Sequence, residues 1–387
     1  MLLPPELTDQ IIQLLDSPSD LLTCSLVCRT WVPASRGSHP TLGTLALKGD
    51  DFPGYIALVG SPHQTLTGAV RSLHLSSCNA PEIETLVRAA RFPNVRHVGL
   101  RACQGPTDGW SWDLAPFEMA TSLDLNALEF MTIRSYLELL KLFPALATLH
   151  LKSILLIELL KHNGEEDIVP PFRLELDELV LDFLPNIHWA RWLAAPGTTV
   201  NTRAVTVRTA DYNKSGGYVH LMQYLSKLDG HLQFLSLVSN LPAAITIFPS
   251  SALRSLHIGA TIFVGYATGE TLADGQISGI RTGPRVISML ESMDEAPLEI
   301  LCLGVKIIFD YPSLESRVSG TTTVAKLMQT IRESRFIRRL RRLEIRGVWH
   351  SEWMRVEFEQ RLRQEKIDPD IERLLVFVSD DIEWPQS

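Results

Sequence analysis

Residues 70–78 read Val-Arg-Ser-Leu-His-Leu-Ser-Ser-Cys, and their apolar side chains fall at Val70, Leu73, Leu75 and Cys78. Leu73 and Leu75 flank a single polar residue, the alternation of a short strand that buries one face. The same apolar-x-x-apolar-x-apolar signature starts at Leu42, Val70, Val95, Ala120, Leu146, Leu176, Thr202, Leu232, Leu253, Leu298, Leu340 and Ile371, with Thr202 the one polar start. In the last copy it places Leu374 and Val376 at the two inward positions. The starts lie 28, 25, 25, 26, 30, 26, 30, 21, 45, 42 and 31 residues apart, so this is an internal repeat. A period near 26 residues accommodates one strand, a turn and a helix, and Pro81–Arg88 carries a helical pattern.

The repeat resembles a leucine-rich repeat. That family adds an Asn or Cys three residues after the last apolar position, where Cys78, Cys103 and Asn240 fall. Other copies put Leu128, Ile154, Leu184 or Lys306 there, so the repeat is degenerate. The resemblance implies an α/β fold over residues 41–387, a solenoid of about 12 repeats with parallel strands inside and helices outside. So many copies exceed an α/β barrel, and no glycine-rich phosphate turn follows the first strand as in a doubly wound sheet. Two intervals break the period. Gly259–Pro284, rich in Gly and Thr, predicts a loop or hairpin projecting from the array; Tyr311–Thr323 is irregular and leads into a helix from about Val324.

Ahead of the repeats, residues 1–40 carry a crowd of large apolar side chains: Leu7, Ile11, Ile12, Leu15, Leu21, Leu22, Leu26, Val27 and Trp31. So short a segment cannot close a core around all of them. Pro4-Pro5-Glu6 opens a helix, and Ser17-Pro18-Ser19-Asp20 breaks it before a second apolar helical stretch. Leu3-Pro4-Pro5-Glu6-Leu7, Ile11-Ile12, Asp20-Leu21-Leu22 and Val27-Cys28-Arg29-Thr30-Trp31 together resemble an F-box, a three-helix docking module. That resemblance implies a substrate-recognition subunit of an SCF-type cullin–RING ubiquitin ligase, partnered by a Skp-type adaptor, by the cullin through it, and by an unknown protein substrate. The implied adaptor-binding residues are Leu3, Pro4, Leu7, Ile11, Leu15, Leu22, Val27 and Trp31. The alternative is a leucine-rich interaction scaffold that binds a Skp adaptor, or nothing, without ligase function.

Composition bounds the rest. Net charge is −8, from 36 basic and 44 acidic residues, which disfavours generic nucleic-acid binding. Five irregularly spaced cysteines do not suggest a disulfide framework, and neither a signal peptide nor a long apolar span is legible, so a cytoplasmic or nuclear setting with no membrane contact is expected. Asn213-Lys214-Ser215 reads as a loop.

No nucleophile elbow, zinc-protease helix or phosphate loop is present, and no catalytic residue, metal or cofactor is expected. Glu165-Glu166-Asp167 and Asp380-Asp381 read as solvated acidic turns. The arginines of Arg332–Arg346 read as an exposed helix face paired with Glu333 and Glu344, with an acidic partner left open. Strand alternation places His74, Arg101, Asp124, Asn126, His150, Lys152, Asp182, Arg208, His257, Glu344 and Arg346 on the concave face, a mixed-charge surface suited to a protein or peptide. The three histidines lie too many strands apart to share one metal.

Overall fold

Each apolar pair of the repeat becomes a parallel strand. The structure, a computed structural model, describes residues 4–15, 17, 20, 23–24, 27, 29–31, 34–35, 43–59, 67–89, 92–103, 117–130, 132–156, 171–182, 188–208, 217–238, 250–267, 276–282, 284–309, 322–347, 349, 352–364 and 367–379. The chain divides into two compact units, Met1–Leu176 and Asp177–Ser387.

The first unit holds α1 (Pro5–Gln13), β1 (Thr44–Lys48), α2 (Phe52–Val59), β2 (Ser72–Ser76), α3 (Ala80–Ala89), β3 (His97–Arg101) and β4 (Ser122–Asn126), then β5 (Glu129–Phe130), α4 (Ile133–Lys141), β6 (Thr148–Lys152) and β7 (Leu155–Leu156). β1, β2, β3, β4 and β6 pair parallel in chain order without slippage, so Leu45, Leu73, Val98, Leu123 and Leu149 stand on successive rungs. Beneath them Phe92, Phe117 and Phe143 stack at ring-centroid distances of 6.2 and 6.5 Å. Each phenylalanine carbonyl accepts from the amide three residues on (Val95, Ala120 and Leu146), so one turn recurs at every rung.

A second recurrence marks the strand exits. Ser77, Ala102, Ala127 and Ser153 all hold positive φ, between 48° and 54°, a conformation that costs a residue with a Cβ about 1–2 kcal/mol. The amides of Ser77, Ala102 and Ala127 donate to Arg101, Asn126 and Lys152 carbonyls on the next rung, at 2.8–2.9 Å, which offsets that cost. The turn then drives Cys78, Cys103, Leu128 and Ile154 into the core. Cysteine and aliphatic residues occupy equivalent buried places there, and this is why the repeat tolerates both.

The second unit continues from β8 (Phe172–Asp182), which straddles the division, through α5 (His188–Ala194), β9 (Thr198–Arg208), α6 (Gly217–Lys227), β10 (Phe234–Leu237), β11 (Ser255–Ala267) and β12 (Gln276–Thr282). It ends with α7 (Pro284–Ser292), β13 (Ile300–Phe309), β14 (Thr322–Thr323), α8 (Val324–Glu333), β15 (Arg342–Gly347), α9 (Glu352–Gln364), α10 (Pro369–Glu372) and β16 (Leu375–Ser379). β9, β10, β11, β13, β15 and β16 again pair parallel in that order.

Two expectations change here. The Gly259–Pro284 segment does hold a hairpin, but the hairpin's first strand is paired into the array. β11 runs on past a bulge, pairs parallel with β13 from Ile262 to Tyr266, and turns back antiparallel into β12. Ile262 and Val264 are buried, and that alternation gives the extension an inward face of its own. The last repeat is displaced by one residue: Leu343 and Ile345 pair with Leu375 and Phe377, and Val376 is exposed. One more residue separates buried Ile371 from the first inward strand position than in the other repeats, and Phe377 meets Phe358 of α9 edge-on at 6.3 Å.

Candidate functional site

At the N-terminus, Pro4 caps α1 and its carbonyl accepts from the amides of Leu7 and Thr8 at 3.1 Å. The helix carries two apolar stripes, roughly 100° apart at 3.6 residues per turn. Ile12 is 1% exposed and packs with Ala34, and Leu15, Cys24 and Trp31 lie partly buried against that pair. The other stripe is uncovered: Leu7, Ile11 and Leu14 are 46%, 51% and 80% exposed, and Val27 nearby in sequence is 59% exposed. Of the expected adaptor-contacting residues, then, Leu7, Ile11 and Val27 face outward, Leu15 and Trp31 help close the small core, and Leu3 and Leu22 lie outside the described residues. The second and third helices expected of the module fall largely on residues outside the description, with a 3-10 turn at Arg29–Trp31 inside it.

The polar strand face of the first unit runs Ala46, His74, Gly99, Asp124, His150 across consecutive rungs. Gly99 is there for space, since a Cβ on it would stand 2.5 Å from Nδ1 of His74. The His74 ring therefore leans over its neighbouring rung and meets His97 at 5.0 Å, while Nδ1 of His97 hydrogen-bonds Oγ of Ser122 at 2.8 Å. Burial and the nearby His74 hold the His97 pKa below its ordinary value, against a smaller opposing pull from Asp124. His150 Nδ1 lies 3.7 Å from Asp124 Oδ1. Arg101, Asn126 and Lys152 form a parallel row two residues further along the strands, on the same face.

In the second unit the equivalent row is Thr206, Ser236, His257, Cys302, Glu344 and Val376. Glu344 is not the solvent-facing acid that alternation predicts: it is 5% exposed. Arg342 Nε reaches its Oε1 at 2.8 Å, and Arg346 grips Oε2 through Nε and a terminal nitrogen at 2.7 and 2.6 Å. Asp182 is also buried, so it too departs from the expected surface. His257 Nδ1 hydrogen-bonds Ser236 Oγ at 3.1 Å. Burial, with further help from Arg346 and Arg208, lowers its pKa to about 4 against a counter-pull from Glu344. His257, Glu344, Arg346 and Arg208 thus share one electrostatic neighbourhood. Ser236, which orients the histidine, and Gly99 carried no sequence signal of their own. The repeated small residue after each strand did, in the series Ser77, Ala102, Ala127 and Ser153.

The arginines of residues 332–346 are not one helix face. They come from the end of α8, a 3-10 turn at Arg335–Arg338, and β15. Arg332 pairs with Asp368 at 3.2 Å, and Arg335 with Asp294 and Glu295 at 3.4 and 3.0 Å. Glu333, expected to pair with them, instead accepts from Gln329 at 2.8 Å. Among the described residues, no three or more His, Cys, Asp or Glu side chains converge to hold a metal ion, and no helix is long and apolar enough to cross a membrane.

The class these features define is a mixed α/β protein of repeated parallel strands, fronted by a helical segment with an uncovered apolar stripe. Residues 1–34 match the family model described as F-box-like. Among proteins of curated function, none matches the chain in sequence.

Proposed function

We propose that the protein is the substrate-recognition subunit of an SCF-type cullin–RING ubiquitin ligase, working in the cytoplasm or nucleus. Residues 1–40 dock to a Skp-type adaptor, and the leucine-rich-repeat-like solenoid of residues 41–387 holds the target protein. The observation that carries this reading is the uncovered stripe Leu7–Ile11–Leu14 within the segment that matches an F-box-like model. Burying a large aliphatic side chain in an interface contributes about 1.5–3 kcal/mol, and a stripe of them left open on a small module is a surface built for another chain. The receptor performs no bond chemistry. It holds a target lysine near the charged conjugating enzyme, converting a bimolecular encounter into an effectively intramolecular one. The half-exposed face around His74, Asp124, Asn126, His150 and Lys152 supports the target-binding half of the proposal through its hydrogen-bonding and charged groups.

The test is recruitment of a cullin. The full chain is co-expressed with a Skp adaptor and the complex is offered to an adaptor-binding cullin. A ternary complex that transfers ubiquitin to a bound protein supports the ligase reading; a stable adaptor complex that never recruits cullin refutes it.

A further inference from the structure

Each unit leaves one strand of its ladder at an edge, and the two edges are built differently. Among the described residues β1 pairs only with β2, and β16 only with β15. An unpaired edge presents amides and carbonyls that another chain can take up, and proteins commonly blunt it with charge or irregularity. β1 is blunted: Thr-Leu-Ala-Leu-Lys ends on Lys48, whose amide donates to the Asp51 carboxylate at 3.1 Å. β16, Leu-Val-Phe-Val-Ser, carries neither charge nor proline, and Val376 and Ser379 are exposed. The amide of Leu343 donates to the carbonyl of Leu374 at 2.9 Å, which fixes the phase of the parallel ladder. In that phase the amides of Val376 and Val378 turn towards β15, and the amide and carbonyl of Leu375, Phe377 and Ser379 point away from it.

We infer that this edge pairs antiparallel with β16 of a second copy of the chain, about a two-fold axis at Phe377. That register sets Leu375 against Ser379 and Phe377 against its own counterpart, so every outward amide and carbonyl of the strand finds a partner. Phe377 opposite Phe377 and Val376 opposite Val378 are cross-strand pairs of the apolar kinds that stabilise sheets. Charge selects the direction. Arg373 lies just ahead of β16, and Asp380 and Asp381 follow it directly. Continued outward, the antiparallel register brings Arg373 of each copy to Asp381 of the other. Parallel pairing would instead set acid beside acid and arginine beside arginine. Arg373 can be recruited: it is 80% exposed, and its present partner Asp370, 3.7 Å away, is 85% exposed, so that pair is weak. The contact is isologous and closes on itself, using the edge of both copies at once.

This self-association goes beyond the receptor reading and needs neither adaptor nor target for its test. Sedimentation velocity of the full-length chain over a concentration series reports association, and amide hydrogen exchange at low and high concentration locates it. A monomer–dimer equilibrium is expected, with the amides of Leu375, Phe377 and Ser379 gaining protection as the dimer forms. Val376→Lys combined with Ser379→Pro should leave the chain monomeric throughout. The lysine blunts the edge, and the proline removes an outward donor without touching a bond to β15. Both positions are exposed, so the thermal unfolding of this variant should match that of dilute wild type. Arg373→Glu should weaken the dimer about tenfold, the scale of two exposed ion pairs made repulsive, and adding Asp381→Arg should restore it. A chain that stays monomeric at every concentration, or edge amides already protected in the dilute monomer, would overturn the inference. So would a dimer indifferent to the Val376 and Ser379 substitutions, or a charge reversal that Asp381→Arg does not rescue.

Discussion

At the residue scale, Gly99, Glu344 and His257 each make a distinct claim. A methyl group at Gly99 meets the His74 ring at 2.5 Å, so Gly99→Ala should destabilise the first unit by about 1–3 kcal/mol. Removing the ring with His74→Ala in the same chain should recover most of that loss in chemical denaturation; additive losses would show that the contact is not the cause. Glu344 is enclosed by two arginines that keep partial access to water, so Glu344→Ala should cost about 2–4 kcal/mol by stranding Arg342 and Arg346. His257 has a folded-state pKa of about 4 against an ordinary 6.5, so between those values the unfolded chain takes up a proton that the folded chain refuses. Its contribution is therefore complete above pH 6.5 and is lost as pH falls towards 4. His97 shifts in the same direction. Thermal melts across that range should show a shallower decline in His257→Gln than in wild type, and parallel curves would remove His257 from the account.

At the scale of elements, the strands were legible because their signal is local and repeated. Leu73 and Leu75 need only their own alternation to declare an inward face, and eleven of the twelve apolar pairs took the places that alternation assigned, allowing for Leu45 at the exposed edge. The twelfth slipped because nothing in Ile371–Val376 reveals the extra residue between Ile371 and the start of pairing at Leu375. The β11–β12 hairpin was half-legible: its Gly and Thr content announced an interruption, but its pairing with β13 is a long-range event that no local pattern encodes. Exposure on the polar face was the least legible property. Alternation gives the side on which Glu344 lies, whereas its burial depends on Arg342 and Arg346 folding over it. The phenylalanine stack offers an element-level test. Phe117 touches Phe92 on one side and Phe143 on the other, so Phe117→Ala should cost about 3–5 kcal/mol and lower the unfolding midpoint. A loss below about 1 kcal/mol would mean that the rungs do not depend on the stack.

At the scale of the whole molecule, the two stripes of α1 carry the functional argument. The apolar surplus of residues 1–40 was plain in the sequence, but not which side chains would be spent on the module's own core. Ile12 and its partly buried neighbours Leu15 and Trp31 take that role, and Leu7 and Ile11 do not. This division turns a resemblance into a measurement. The most direct one is the affinity of the full-length chain for a purified Skp adaptor, by titration calorimetry, with Leu7→Ala and Ile11→Ala introduced together. The account predicts saturable one-to-one binding by wild type, weakened about a hundredfold or more in the double variant, whose thermal unfolding is unchanged. Wild-type protein that fails to bind the adaptor, or a double variant that binds it equally well, would contradict it.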